Sequence, residues 1–311
     1  MPWIIAAVSL LVLTLGVSLA VYFAAFYNKN DADVTYRVLT GEGYDVFHDE
    51  MISLIDSAVV IPYEEAFAAS YDGLRLFGRI YMQKEGAPFH IQFNGYKGNG
   101  VRDFSGGLHL ALSLGENVLL VDQRAHGRSE GHTISFGIRE RRDVLTWINF
   151  ILEKYGEKTD IYLEGVSMGA ATVLMACDLP LPENVRGIVA DCPFSSPFGI
   201  VRKVGREMTR LDYVTFPFIF LGALVFGRFN ILSSDAVRSV RNAKKPVLLI
   251  HGTADRFVPI RMSREIRAAN PDLITFIEVE GAPHGLSLLK DREGYRRAFT
   301  EFIEKIRSGE T

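Results

Sequence analysis

The chain has 311 residues, 48% of them hydrophobic and 23% charged, with a net charge of −3. That is enough apolar side chain for a sizeable core, and the lack of any basic block leaves nucleic-acid binding without electrostatic support. Only two cysteines occur, Cys177 and Cys192; they are too few for a disulfide framework or a four-ligand zinc site and read as small buried hydrophobes.

The first element runs from Trp3 to Tyr27, WIIAAVSLLVLTLGVSLAVYFAAFY, and holds no charged side chain. A helix needs roughly 20 apolar residues to cross a bilayer, so this run can span with some tilt, and Trp3, Tyr22 and Tyr27 fall near its ends. Ser18-Leu19-Ala20 has the small-x-small form of a signal-peptide cleavage site. Against cleavage, no Lys or Arg stands ahead of the run, and the run continues past Ala20. A retained single-pass anchor over residues 1–28 is therefore expected. A buried core helix fits less well, because the run has no polar face. Lys29 and Arg37 follow it and lean the rest of the chain towards the cytoplasmic side, slightly opposed by Asp31 and Asp33.

Residues 29–57 read as a polar linker with one short amphipathic helix around Phe47 to Ile55. Beyond it a single domain is expected over residues 58–308. Val59 to Ala69 and Leu74 to Met82 are strand-like and flank a Tyr71-Asp72-Gly73 turn. Phe89 to Asn94 is a strand, and Asp103 to Leu114 a helix that Asp103 could cap. A strand at Asn117 to Asp122, a helix at Phe136 to Tyr155 and a strand at Asp160 to Glu164 follow. After Ser167 comes a helix, then strands at Val185–Asp191, Lys245–Gly252 and Leu273–Glu280. An amphipathic helix closes the chain at Asp291 to Ile306. Short apolar strands alternating with helices predict an α/β fold, a mainly parallel eight-stranded sheet with helices on both faces.

Sites in such sheets form at the carboxyl ends of strands. Four loops there carry reactive residue types: Ser167 after the strand ending at Glu164, Asp255 after VLLIHG, His284 after LITFIEVE, and Asn94-Gly95-Tyr96 after HIQF. A serine, an acid and a histidine in that chain order fit a nucleophile, an orienter and a base. Gly165 and Gly169 flank Ser167, as a sharp strand–turn–helix requires where side chains would collide with neighbouring backbone. The turn sets Ser167 at a helix N-terminus, where the amide of Met168 points at the place an oxyanion would form. The amide of Tyr96 is the candidate second donor.

From about Val60 to Ile306 the chain resembles the α/β-hydrolase superfamily. The resemblance is carried by GVSMG, by DQRAHGRSEG at Asp122 to Gly131, by HGTADRFVP at His251 to Pro259 and by GAPHG at Gly281 to Gly285. Together these look like the serine aminopeptidase and monoacylglycerol-lipase-like branch, including membrane-anchored bacterial members. The resemblance implies Ser167 as nucleophile, Asp255 as acid, His284 as base, and the Tyr96 and Met168 amides as oxyanion hole. It implies no cofactor and no metal. Many members have His-Gly where this chain has Asn94-Gly95.

Asp191, at a strand end, rivals Asp255 as orienter. His251 and His126 precede glycines in tight turns and read as structural, and Asp122 and Arg124 read as loop-fixing residues. NGYKGNG lacks the spacing of a phosphate loop. Residues 195–244 are expected as a helical lid insertion, because in this fold that connection covers the serine. Its middle, LDYVTFPFIFLGALVFGRF, is apolar but shorter than a span and is interrupted by Pro217 and Gly222. It reads as a cap helix or as a surface touching acyl chains or the bilayer. The expected function is hydrolysis of a small-molecule or lipid-type carboxylic ester or thioester through an acyl-enzyme. A peptidase of aminopeptidase type is the runner-up, and it would need acids such as Glu164 or Asp191 near the serine. A silent membrane-tethered binding module is the third reading.

Overall fold

A computed structural model describes residues 1–30, 34–210 and 212–309 of the chain. Asp31, Asp33 and Leu211 lie outside the described residues, as do the side chains at 212–214. Eight strands form one sheet in the order β1-β2-β4-β3-β5-β6-β7-β8. They are β1 (Glu64–Ala69), β2 (Arg75–Tyr81), β3 (Phe89–Phe93), β4 (Asn117–Asp122), β5 (Ile161–Val166), β6 (Val185–Asp191), β7 (Val247–Gly252) and β8 (Ile274–Val279). β2 runs antiparallel to β1 and β4, and the remaining pairs are parallel. In β3, β4 and β7 every position is buried. The apolar cores of β4 and β7, VLLV and VLLI, follow from helices covering the sheet on both faces, while β3 also buries His90 and Gln92. The strand order reverses at β3, which lies between β4 and β5, so the loops leaving β3 and β5 face one another at the switch point.

Several boundaries differ from the sequence reading. Val59-Val60-Ile61 looks like the start of a strand, yet Val59 ends α2 (His48–Val59) and β1 begins at Glu64. Met51, Ile55 and Ala58 fall on one face of that helix and are buried where it packs on α3 (Gly100–Ser113). Helical spacing of the apolar residues outweighs the strand preference of the β-branched ones. The cap of α3 is Asn99, whose side chain accepts from the amide of Arg102. Asp103 instead accepts from the amide of Gly95 at 2.8 Å. α4 spans Glu140–Tyr155. Phe136 precedes it in a left-handed turn, φ 54°, and the Glu140 carboxylate gathers the amides of Ser135 and Gly137.

α1 (Pro2–Val21) continues through one π-helical turn to Phe26. By length and composition this helix is able to cross a membrane, with a mean hydropathy of 2.6 in its apolar window and only 6% of that window buried. Its last turn joins the domain. Phe26 is fully buried, Tyr27 bridges to Thr133, and Asn28 Nδ2 donates to the carbonyl of Ala125 at 2.6 Å. Between β6 and β7 lie α6 (Pro197–Thr209), α7 (Asp212–Leu221) with a π-helical turn to Phe226, and α8 (Ala236–Val240). α7 packs along α1. Gly222 permits the approach, since a Cβ there would sit 2.8 Å from the carbonyl oxygen of Ser18.

Candidate active site

β5 delivers Ser167 into a turn that only this local sequence tolerates. Ser167 has φ 55° and ψ −114° and opens α5 (Met168–Met175). A Cβ on Gly165 would lie 2.3 Å from the backbone of Gly169, and one on Gly169 would lie 1.9 Å from the carbonyl oxygen of Phe93. Both glycines are therefore required by close backbone approach, and the strain falls on the serine between them.

Three of the residues singled out in the sequence meet at this turn. The Ser167 hydroxyl lies 2.8 Å from Nε2 of His284, and Nδ1 of His284 lies 2.6 Å from Oδ2 of Asp255. Nδ1 faces a carboxylate and so carries the hydrogen, leaving Nε2 to accept from the serine. Asp255 Oδ1 accepts from the amides of Phe257 and Val258 at 2.9 and 2.7 Å. Burial alone would raise the Asp255 carboxyl. The bonds donated by His251 and His284 and their charge outweigh that and hold it at about 2. Asp255 is thus ionised at neutral pH.

Asp191, the rival acid, bonds to the hydroxyl of Ser287 at 3.0 Å instead of to His284. Burial pushes it up to about 6, against the pull of His251, Ser287 and His284. Cys192, the next residue, has its thiol close to the ligand atoms of Asp255 and His284, all within 4.8 Å of one another. Among the described residues no other such group of three gathers. Burial beside Asp191 and Asp255 raises the Cys192 thiol well above its usual value, which opposes the thiolate a metal would need.

The loop after β3 stands against the serine: a Cβ on Gly95 would lie 3.5 Å from Cβ of Ser167. Several groups fix this loop. Asp103 takes the Gly95 amide, and Asn94 Oδ1 takes the amide of Gln123 at 2.9 Å. His126 Nδ1 donates to the carbonyl of Arg124 at 2.8 Å, which leaves its Nε2 to accept from the amide of Lys97 at 3.0 Å. The Tyr96 ring stacks on Phe136, and its hydroxyl donates to the carbonyl of Ala25 at 2.8 Å. Tyr96 therefore sits between the serine turn and the end of α1. Met168 is the first residue of α5, where amides have no intrahelical acceptor. Asp122 takes the amides of Gly100 and Arg128, and Arg124 pairs with Asp72 and Asp143, as loop-fixing residues should.

A cavity of about 580 Å³ opens at Ser167 and His284. Phe104, Leu110, Val189, Leu288 and Phe299 make much of its wall apolar, while Glu164 and Asp191 also line it. Val38, Leu39 and Tyr44 reach it from the segment ahead of α2. Burial raises the Tyr44 phenol to about 12, and the backbone of His284 bonds to it. Nothing in the local sequence around Tyr44 marks this role, because the contact forms across more than two hundred residues. Behind the cavity wall, the carboxylates of Glu164 and Glu116 bracket the two ring nitrogens of the buried His90.

The sheet order, the strained serine turn and the loops at the strand ends define an α/β-hydrolase fold. The family model for the α/β-hydrolase fold matches residues 93–214. The chain is 25% identical over 296 residues to the uncharacterized protein YqkD of Bacillus subtilis, covering 95% of this chain and 94% of the relative. Among solved structures, the Pyrococcus furiosus esterase Pf2001 superposes with a TM-score of 0.65 at 20% identity over 90% of this chain and 98% of that one. The Pyrococcus horikoshii acylaminoacyl peptidase gives 0.60 at 18% identity, over 78% of this chain and 41% of that one.

Proposed function

We propose that this protein is a membrane-anchored serine hydrolase acting on carboxylic esters or thioesters with an apolar acyl part. One observation carries the reading: Ser167, His284 and Asp255 are joined in line by contacts of 2.8 and 2.6 Å at the mouth of a cavity with mostly apolar walls. In this reading His284 Nε2 takes the hydroxyl proton as Ser167 Oγ attacks the carbonyl carbon. The oxyanion meets the Tyr96 and Met168 amides, preset by the β3 loop and the N-terminus of α5. His284 then gives the proton to the leaving alcohol or thiol. Water attacks the acyl-serine, His284 takes its proton, and the acid leaves with Ser167 restored. Asp255 stays ionised throughout and stabilises the imidazolium. A burst of alcohol equal to the enzyme concentration on mixing with an activated short-chain ester tests the acyl-enzyme. Ser167→Ala should show neither burst nor turnover.

A second reading has its own support. Glu164 and Asp191 line the cavity that Ser167 opens into, where an ammonium group would find carboxylates, and one structural relative is an acylaminoacyl peptidase. Faster cleavage of an aminoacyl anilide than of the matching acyl ester would favour this reading over the ester reading. A silent binding module is disfavoured by the complete serine–histidine–acid arrangement.

The membrane part of the proposal rests on α1, whose outward side chains from Trp3 to Leu13 are exposed and apolar. Phe216, Leu224 and Val225 are exposed on α7 and the turn after it, beside α1. They extend the same lipid-facing surface towards the domain, so the lid insertion contacts the bilayer next to the anchor.

A further inference from the structure

Asp255 serves two serine–histidine pairs. On one side Oδ2 faces His284 Nδ1 at 2.6 Å, with Ser167 Oγ 2.8 Å beyond Nε2. On the other side the same oxygen faces Nε2 of His251 at 3.1 Å, and Nδ1 of His251 lies 2.6 Å from Ser263 Oγ. Nε2 of His251 also faces the carbonyl oxygen of Val258 at 2.9 Å. A ring nitrogen set between a carboxylate and a carbonyl must carry the hydrogen. The neutral ring then accepts through Nδ1 from the Ser263 hydroxyl, so Ser263 selects the tautomer that donates to Asp255. His251 and Ser263 are both completely buried, so water does not replace either partner. The strand–turn HGTAD puts His251 at the end of β7 and Asp255 four residues later, and α9 (Arg261–Ala269) brings Ser263 back over them.

We propose that His251 is a positioning residue for the hydrolytic step, fixing the Asp255 carboxylate and moderating its pull on His284. The proposal rests on the Ser167–His284–Asp255 reading. Two donors on one carboxylate oxygen share its charge. Without His251 the oxygen turns its full charge to His284, which favours the protonated imidazole. A protonated His284 does not accept the serine proton, so the acid limb of activity moves to higher pH. The ionisable groups around the pair are His284 from the loop after β8, Asp191 at the end of β6, Cys192 beyond it, Glu278 on β8 and Tyr44 from the segment ahead of α2. All of them remain in each variant below.

The experiment is the pH dependence of kcat/KM on a soluble short-chain ester, for the full chain in detergent. His251→Phe should move the acid limb up by about half a pH unit or more, a roughly threefold or larger loss at a pH on that limb. His251→Gln, whose terminal amide can donate where Nε2 does, should bring the limb back to that of the parent. Ser263→Ala, which releases the tautomer, should shift it in the same direction by a smaller amount. An unmoved limb in His251→Phe, or a limb moved equally by His251→Gln, overturns the proposal. If His251→Phe does not fold, Ser263→Ala decides: an unmoved limb there overturns it equally. Turnover by the parent chain that does not depend on Ser167 refutes the triad reading itself. Ser167-dependent turnover with an unmoved limb refutes only the role of His251.

Discussion

Phe26, in the last turn of the N-terminal helix, meets Phe136 edge to face with ring centroids 5.8 Å apart, and it meets Phe229 in the same way at 5.3 Å. Phe26 is fully buried, so the end of an apolar helix whose first half is exposed belongs to the core of the domain. Phe26→Ala should destabilise the domain by about 3–5 kcal/mol, since a buried aromatic leaves a cavity when truncated. Deleting residues 1–20 keeps Phe26 and the bond from Tyr22 to Thr133. Deleting residues 1–30 removes both. The shorter deletion should melt close to the full chain in detergent, and the longer one roughly 10 °C lower. Equal melting temperatures for the two deletions would place the domain boundary beyond Phe26.

The same shorter deletion tests the membrane role. The full chain in liposomes should hydrolyse a long-chain ester embedded in the bilayer at least about tenfold better, relative to a soluble short ester, than the form lacking residues 1–20. Tethering raises the local concentration of enzyme at the surface without any new contact. Equal ratios for the two forms would remove the case for an anchor that serves access to substrate.

Asp255 and Asp191 are both buried carboxylates near His284, and they should behave oppositely. Asp255→Asn should lower kcat by about 10³ to 10⁴ with the fold intact, because the amide no longer orients and stabilises the imidazolium. Asp191→Asn should keep most of the activity and stabilise the protein at pH 8. Its folded value of about 6 stands above the ordinary carboxyl range, so ionising it costs the folded state. That group favours folding below about pH 4 and loses this contribution as pH rises through 6. The two-unit difference corresponds to about 3 kcal/mol at most. Melting curves of Asp191→Asn at pH 5 and pH 8 check this: the gain should be larger at pH 8. A loss of activity matching that of Asp255→Asn would reassign the acid.

Asp103 lines the cavity, and it holds the amide of Gly95 and with it the loop that carries Tyr96. Asp103→Ala should cut kcat by about tenfold or more, less than the 10² to 10³ typical of deleting an oxyanion donor outright. KM for a short ester should change little. A change confined to KM would assign Asp103 to substrate binding.

The serine turn was legible because its requirements are local: a strand, two glycines at fixed offsets and a helix. The same holds for Asp255 and His284, which follow apolar strands that periodicity identifies. What escaped the sequence depends on distant packing. Val59 and Val60 read as strand because their helical partners, Met51 and Ile55, lie a turn or two earlier and are buried only where α3 covers them. Asp103 read as a cap, but Asn99 has the extended backbone a cap needs. His251 read as a turn residue, and only the fold brings Oδ2 of Asp255 and the hydroxyl of Ser263 to its two nitrogens. Residues 29–57 read as a linker, and only the fold brings Val38, Leu39 and Tyr44 to the cavity wall.

The most direct test of the proposed chemistry is covalent. Membranes carrying the full chain are treated with a fluorophosphonate, and the modified peptide is identified by mass spectrometry. Phosphonylation should fall on Ser167 alone, should be absent from Ser167→Ala, and should slow by orders of magnitude in His284→Ala, since the serine must lose its proton to react. Labelling of another serine, or undiminished labelling of Ser167→Ala, would contradict the assignment of the nucleophile and with it the reading of this protein as a serine hydrolase acting through Ser167.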